Sequence, residues 1–179
     1  MGHIIDGMAM LYHCYIKRDK LEYAKKLGVK MGKDCQILAN PYHCFGSEPW
    51  LITLGDHVDV TEDVKFFTHD GGIWVARGLK PDLNEYDSFK PIKVGNNVMI
   101  GVRVQIMPGV VIGDNVIIGG GAIVTKDIPS NSIVAGVPAR KISDLDKYLE
   151  RLEENIVPTK HLSQVDKRKW LMEHRKEWF

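Results

Sequence analysis

The sequence predicts a mainly β fold, a solenoid of short strands stacked in six-residue steps with helices at both ends. Three observations carry this. From Val94 the chain reads VGNNVM, IGVRVQ, IMPGVV, IGDNVI, IGGGAI, VTKDIP, with an aliphatic residue at the first and fifth position of every hexad. The first positions are Val94, Ile100, Ile106, Ile112, Ile118 and Val124, and the fifth are Val98, Val104, Val110, Val116, Ala122 and Ile128. With about half of residues apolar, twelve such hits in a fixed register arise by chance roughly once in 4,000 trials. Second, the same beat runs upstream in LGDHVD and VTEDVK, and more faintly in MGKDCQ. Third, a period of six is neither the 3.6 of a helix nor a sustained two. Short β segments separated by regular turns produce it, each coil burying its inner residues against the next.

The elements follow in order. Residues 1–30 read as a helical segment. The apolar run Met8–Ile16 is too short to span a membrane, contains His13 and follows Asp6 rather than a basic stretch, so neither a membrane helix nor a signal peptide is expected. Asp19 and Glu22 form a D-x-x-E start for a helix through Leu27. Residues 31–142 form the solenoid, and 143–179 form C-terminal helices. There Ser143 and Asp146 are spaced as a capping pair, followed by Leu145, Tyr148, Leu149 and Leu152 at helical spacing. Pro158 ends that helix and Ser163 begins a last, basic and amphipathic one. These helices are expected to cover the solenoid's open edge, which would otherwise invite strand addition.

Composition narrows the partners. A net charge of +1 gives no field that points to nucleic acid or a membrane surface. Three cysteines without a C-x-x-C pair suit reduced thiols and a cytoplasmic location.

The beat stops once. Counting on from Val64, Phe66 is the next inward residue and Asp70 would be the next fifth-position one, but a carboxylate in an aliphatic stack carries a large desolvation cost. The repeat resumes near Ile92, leaving a protruding loop over 70–91 that follows His69 and carries Gly71-Gly72 at its start. So long an excursion from a compact domain is usually functional.

Two stretches make the chain recognisable. IIGGGAIVTKDIPSNSIVAGVPARKI (Ile117–Ile142) resembles the hexapeptide-repeat acyltransferases, and FGSEPWLITLGDHVDVTEDVKFFTHDGG (Phe45–Gly72) is similar to the bacterial sugar O-acetyltransferases among them, relatives of the maltose and galactoside enzymes. The resemblance implies a left-handed parallel β-helix, although parallel crossovers elsewhere are right-handed. It further implies acetyl-CoA as co-substrate, a homotrimer with active sites between subunits, and a sugar or nucleotide-sugar acceptor. His69 matches the catalytic histidine, Gly101 and Gly120 the path of the pantetheine arm, Thr125 and Lys126 the adenine end, and Arg140, with Lys141 as a further candidate, the coenzyme phosphates. Where some of these enzymes carry V-W-I-G, this chain has Val98-Met99-Ile100-Gly101, so an aromatic wall is missing.

The chemistry asks for such a histidine. An alcohol is a poor nucleophile at neutral pH, and an imidazole can take its proton as oxygen attacks a thioester. Glu48, about one coil earlier, is placed to orient the ring. Asp70, Trp74 and Arg77 in the loop are the candidate acceptor contacts, Trp74 offering an aromatic face to a sugar. Two alternatives stay open: an N-acetyltransferase of a nucleotide-linked amino sugar, and a non-catalytic hexapeptide scaffold. A zinc site of the carbonic-anhydrase type needs a second histidine five residues after His69; that position is Trp74, so no metal is expected.

Overall fold

The computed structural model describes residues 8–153 and 155–179. The first seven positions of the expected N-terminal helical segment lie outside the described residues. The chain divides into two compact units, the boundary falling between Leu145 and Asp146.

Residues 8–16 are helical, closing in a π-helical turn over Tyr12–Ile16. Helix α1 (Lys20–Leu27) starts where the sequence marks it: the Asp19 carboxylate accepts the Glu22 N–H at 3.1 Å. Gly28 ends it at φ 107°, a left-handed conformation that a side chain would strain.

The repeats then wind into coils. The first supplies Lys30–Met31 (β1) and Gln36–Ile37 (β2), the second Ile52–Leu54 (β3), Val58–Val60 (β4) and Lys65–Phe66 (β5). Ile92–Val94 (β6), Val98–Ile100 (β7) and Gln105–Ile106 (β8) make the third, and Val111–Ile112 (β9), Val116–Ile118 (β10) and Ile123–Val124 (β11) the fourth. Ser132–Ala135 (β12) and Arg140–Asp144 (β13) follow. The second, third and fourth coils each give one strand to each of three sheets and the first coil gives one to each of two of them, in the orders β1-β3-β6-β9, β2-β4-β7-β10-β12-β13 and β5-β8-β11. Parallel register places equivalent residues over one another: Leu54, Val94 and Ile112 on one face, Val60, Ile100 and Ile118 on the next, Phe66, Ile106 and Val124 on the third. All twelve aliphatics of the downstream register are buried, none more than 5 % exposed. Burying each such side chain contributes roughly 1.5–3 kcal/mol before chain entropy is counted.

One edge of the prism carries a polar ladder. His57, Asn97, Asn115 and Asn131 all sit at φ of 55–58°, a conformation asparagine tolerates better than most residues. His57 Nδ1 meets Asn97 Oδ1 at 2.8 Å, and the amides of Asn97 and Asn115 each donate to the next oxygen at 2.9 Å.

Two insertions interrupt the winding. Between the first and second coils lie a short helix, α2 (Pro41–Cys44), and a 3₁₀ turn over Pro49–Leu51. Fully buried Phe45 from this segment stacks on Phe66 with ring centroids 5.3 Å apart. The second insertion is the loop after His69. It folds into helix α3 (Ile73–Leu79) and a 3₁₀ turn over Pro81–Leu83.

At the far end the structure departs from the sequence reading. Residues 143 and 144 are not helical. The turn at 136–139 folds the chain back, and β13 pairs antiparallel with β12, Ser143 lying opposite Ile133. The open edge of this sheet is thus covered by a strand of the same chain, and the helix α4 (Leu145–Leu152) begins after it. It ends six residues before Pro158. In the second unit Ser163 caps α5 (Gln164–His174), accepting the Asp166 N–H at 3.1 Å. This helix is basic, but Val165, Trp170, Leu171 and Met172 do not share one face, so the expected amphipathic pattern is absent. No described helix is long and apolar enough to cross a membrane.

Candidate active site

The side-chain alternation after β5 builds the site. Phe66 points into the prism, Phe67 out, Thr68 in and His69 out, as successive residues of an extended segment must. Backbone bonds fix this stretch on both sides. The Phe67 N–H donates to Ile106 carbonyl at 2.9 Å, and the returning loop pairs His69 with Phe89, its Lys90 N–H donating to Thr68 carbonyl at 2.8 Å. Opposite, Glu48 opens the Pro49–Leu51 turn, whose Leu51 N–H donates to Glu48 carbonyl at 3.0 Å. Pro49, the first residue of that turn, is buried.

The two segments meet through the Glu48 carboxylate. Its Oε2 lies 3.0 Å from His69 Nδ1 and accepts the Thr68 hydroxyl at 2.7 Å. The Glu48 side chain is 15 % exposed and the His69 side chain 47 %. Burial pushes the Glu48 carboxyl up, but hydrogen bonds from His69, Thr68 and Ser47 together outweigh it and hold the carboxyl below its ordinary value. Glu48 is therefore an anion at neutral pH. An anion at Nδ1 favours the tautomer with the proton on that nitrogen, which leaves the Nε2 lone pair free.

His69 separates two recesses. One, of about 460 Å³, is lined by Phe67, Lys90, Gln105, Met107 and Pro108 along the prism edge. The other, of about 330 Å³, lies beneath the loop against Glu48, Ile73, Trp74, Arg77, Asp87 and Ser88. Glu48 lines only the second. The loop candidates divide here. Asp70 turns its Oδ1 back to the Gly72 N–H at 2.9 Å, and Trp74 is 78 % exposed on α3. The Arg77 guanidinium is committed within the loop, Nη2 donating to Tyr86 carbonyl and the Asp87 carboxylate.

The remaining candidates lie elsewhere on the prism. Gly101 and Gly120 are side by side at the edge between the second and third sheets: a Cβ on Gly101 would come within 2.6 Å of Gly120 N and Ile118 O, so adjacent coils alone demand this glycine. Thr125 and Lys126 are exposed at the corner after β11, the edge that also carries His69 one turn after β5. Arg140 is exposed with Nη1 donating to Ala139 carbonyl at 2.8 Å, while Lys141 is ion-paired with Asp144. The turn that leads to Arg140 docks on β11, the Ala139 N–H donating to Ile123 carbonyl at 2.8 Å.

This geometry can be set against known proteins. A family model described as bacterial transferase hexapeptide (six repeats) matches residues 91–126. Protein CapG of Staphylococcus aureus is 45 % identical over 162 residues, 90 % of this chain and 91 % of that protein. The chain belongs to the hexapeptide-repeat transferases. A galactoside O-acetyltransferase of Escherichia coli is 46 % identical over 104 residues, 56 % of this chain and 49 % of that protein. A solved galactoside acetyltransferase in complex with coenzyme A superimposes with a TM-score of 0.60 at 28 % identity, covering 82 % of each chain. This hexapeptide-repeat transferase is accordingly an acetyltransferase by class, and its prism is a left-handed parallel β-helix.

Within the hexapeptide frame, sequence reasoning passed over Thr68 and Lys90. Thr68 left a signal: a hydroxyl at an inward position of an aliphatic stack must find an acceptor. Lys90 left none, because its place beside His69 depends on how the loop returns.

Proposed function

We propose that the protein transfers an acetyl group from acetyl-CoA to a hydroxyl of a sugar or polysaccharide precursor, with His69 as general base. The observation that carries this reading is the His69 ring, its Nδ1 held 3.0 Å from the Glu48 carboxylate while the residue borders a recess of about 460 Å³ along the prism edge. The relatives that act on galactosides support the acceptor class. In this reading Nε2 of His69 accepts the acceptor hydroxyl proton as the hydroxyl oxygen bonds to the thioester carbonyl carbon. As the carbon–sulfur bond breaks, the imidazolium returns that proton to the coenzyme thiolate. Glu48 stabilises the imidazolium between the two steps, an electrostatic role suited to a carboxylate that stays ionised.

A neighbouring copy completes the site. The residues assigned to the pantetheine path, Gly101 and Gly120, occupy one edge of the prism, whereas His69, Thr125 and Lys126 occupy another. In a homotrimer a groove formed by unlike edges of two chains brings the sets together. Arg140 and Lys141 then supply charge for coenzyme phosphates, and Asp70, Trp74 and Arg77 border the acceptor.

The test is release of free thiol from acetyl-CoA across hydroxyl and amino sugars, free and nucleotide-linked. Turnover with a hydroxyl sugar is expected, and His69→Ala should lower it at least about a hundredfold with trimer and coenzyme binding intact. Retained turnover in that variant removes His69 from the mechanism. A preference for amino sugars with only a modest loss moves the assignment to N-acetylation.

A further inference from the structure

We infer that Thr68 is a positioning residue for the His69–Glu48 pair, its buried hydroxyl fixing the carboxylate that orients the imidazole. This rests on the reading of His69 as base. Thr68 is 1 % exposed and lies two residues after the buried Phe66, on the same inward side of the extended segment. A hydroxyl there costs free energy unless it is hydrogen-bonded, and valine has the same shape without that cost. The Thr68 hydroxyl donates to Glu48 Oε2 at 2.7 Å, the same oxygen that faces His69 Nδ1 at 3.0 Å. Two donors converging on one oxygen leave the carboxylate little freedom to rotate.

The backbone of Thr68 adds to this. Its carbonyl accepts the Lys90 N–H at 2.8 Å, so the residue that fixes Glu48 from inside also anchors the loop's return. Its chain neighbour is His69 itself. One residue thus couples three parts of the site: the carboxylate arriving from the preceding coil, the ring, and the loop walling the second recess. Without the hydroxyl, Glu48 would be free to swing towards solvent or accept from Nδ1 at a poorer angle, and the ring would sample orientations in which Nε2 misses the groove.

The experiment compares Thr68→Val, Thr68→Ser and the parent, each alone and in a Glu48→Ala background, by thiol release with acetyl-CoA. Thr68→Val is expected to lower kcat about tenfold with KM for acetyl-CoA within about twofold, since one hydrogen bond to a charged group is removed. Thr68→Ser should recover activity to within about threefold of the parent, and in the Glu48→Ala background Thr68→Val should change kcat less than about twofold. Melting temperature serves as the fold control: Thr68→Val should lower it by only a few degrees, reflecting one lost hydrogen bond to a carboxylate, with unfolding still cooperative. An unchanged kcat, failure of the serine to rescue, or the same loss with and without Glu48 would each overturn the inference. Failure of the underlying reading looks different: His69→Ala would then keep its turnover, whatever Thr68 does.

Discussion

Replacing Glu48 with glutamine removes the charge behind His69 while leaving an oxygen for both donors. Thr68 still has an acceptor and Nδ1–H still has a partner, so the fold and the favoured tautomer survive. What is lost is the attraction between a carboxylate and the imidazolium that forms as the acceptor proton is taken. Hydrogen bonds to charged groups contribute roughly 1.5–3 kcal/mol, against roughly 1 kcal/mol for neutral ones. Glutamine keeps a neutral bond, so the difference, about 0.5–2 kcal/mol, is what is lost, and at about 1.36 kcal/mol per decade of rate that is roughly 2- to 30-fold. The His69 side chain is 47 % exposed, so water screens part of the interaction and the lower half of that range applies, about 2- to 8-fold.

The assay is steady-state thiol release with both substrates varied. The loss should appear in kcat, with KM for acetyl-CoA nearly unchanged, and Glu48→Gln should add nothing once His69 is alanine. No measurable loss, a loss carried by KM, or the same loss in the His69→Ala background would refute the charge argument. Stability gives a second check, with a definite sign. The Glu48 carboxyl sits below its ordinary value of 4.5 when folded, its hydrogen bonds outweighing burial. Its ionised form therefore stabilises the fold above that ordinary value, and the contribution disappears as pH falls through the lower folded value. The gap in melting temperature between parent and Glu48→Gln should be present at neutral pH and close as the pH falls below the ordinary carboxyl value.

Two further outcomes test the prism itself. Gly101→Ala places a Cβ within 2.6 Å of backbone atoms of the next coil, and overpacking of that kind should cost about 2 kcal/mol and about 4–8 °C in melting temperature, read by calorimetry. Asn115→Ala removes two ladder hydrogen bonds and puts a Cβ residue at φ 55° without a compensating amide; about 2 kcal/mol is expected, and Asn115→Gly, which loses the bonds but tolerates the angle, should lose less in the same denaturant titration.

Legibility followed the range of the interactions. The hexad aliphatics were readable because one residue type recurs at one spacing, and stacking coils bury all of them by the same geometry. Helix α1 was readable because its cap lies three residues from its partner, as in Asp19 with Glu22. Strand β13 was not, since its pairing with β12 is created by a turn that no hexad encodes; Ser143 looked like a helix cap and became a strand residue. Helix α3 was hidden by the glycines before and within it, and the Arg77 contacts with Tyr86 and Asp87 that brace its loop exist only after folding. At the site the break in the beat located His69, and coil spacing brought Glu48 within reach of thought. Thr68 was missed because counting in sixes skips a residue that alternates in twos.

The division of candidate residues between two prism edges has a consequence that mixed assembly can test. Consider one chain carrying His69→Ala and another carrying Gly120→Trp, a bulky side chain at an exposed corner. Each homotrimer lacks one half of every groove and should be nearly inactive. In a trimer assembled from both, a groove whose histidine comes from the Gly120→Trp chain and whose glycine edge comes from the His69→Ala chain has both halves intact. With equal amounts and random assembly, about one quarter of the oriented subunit contacts have that arrangement, so thiol release should recover to about a quarter of the parent rate. A histidine and glycine edge drawn from the same chain would give no recovery at all, because every chain in the mixture is defective in one of them. Inactivity of co-assembled trimers, shown to be mixed by mass, would therefore place both sets of residues in a single subunit and remove the shared groove from the mechanism.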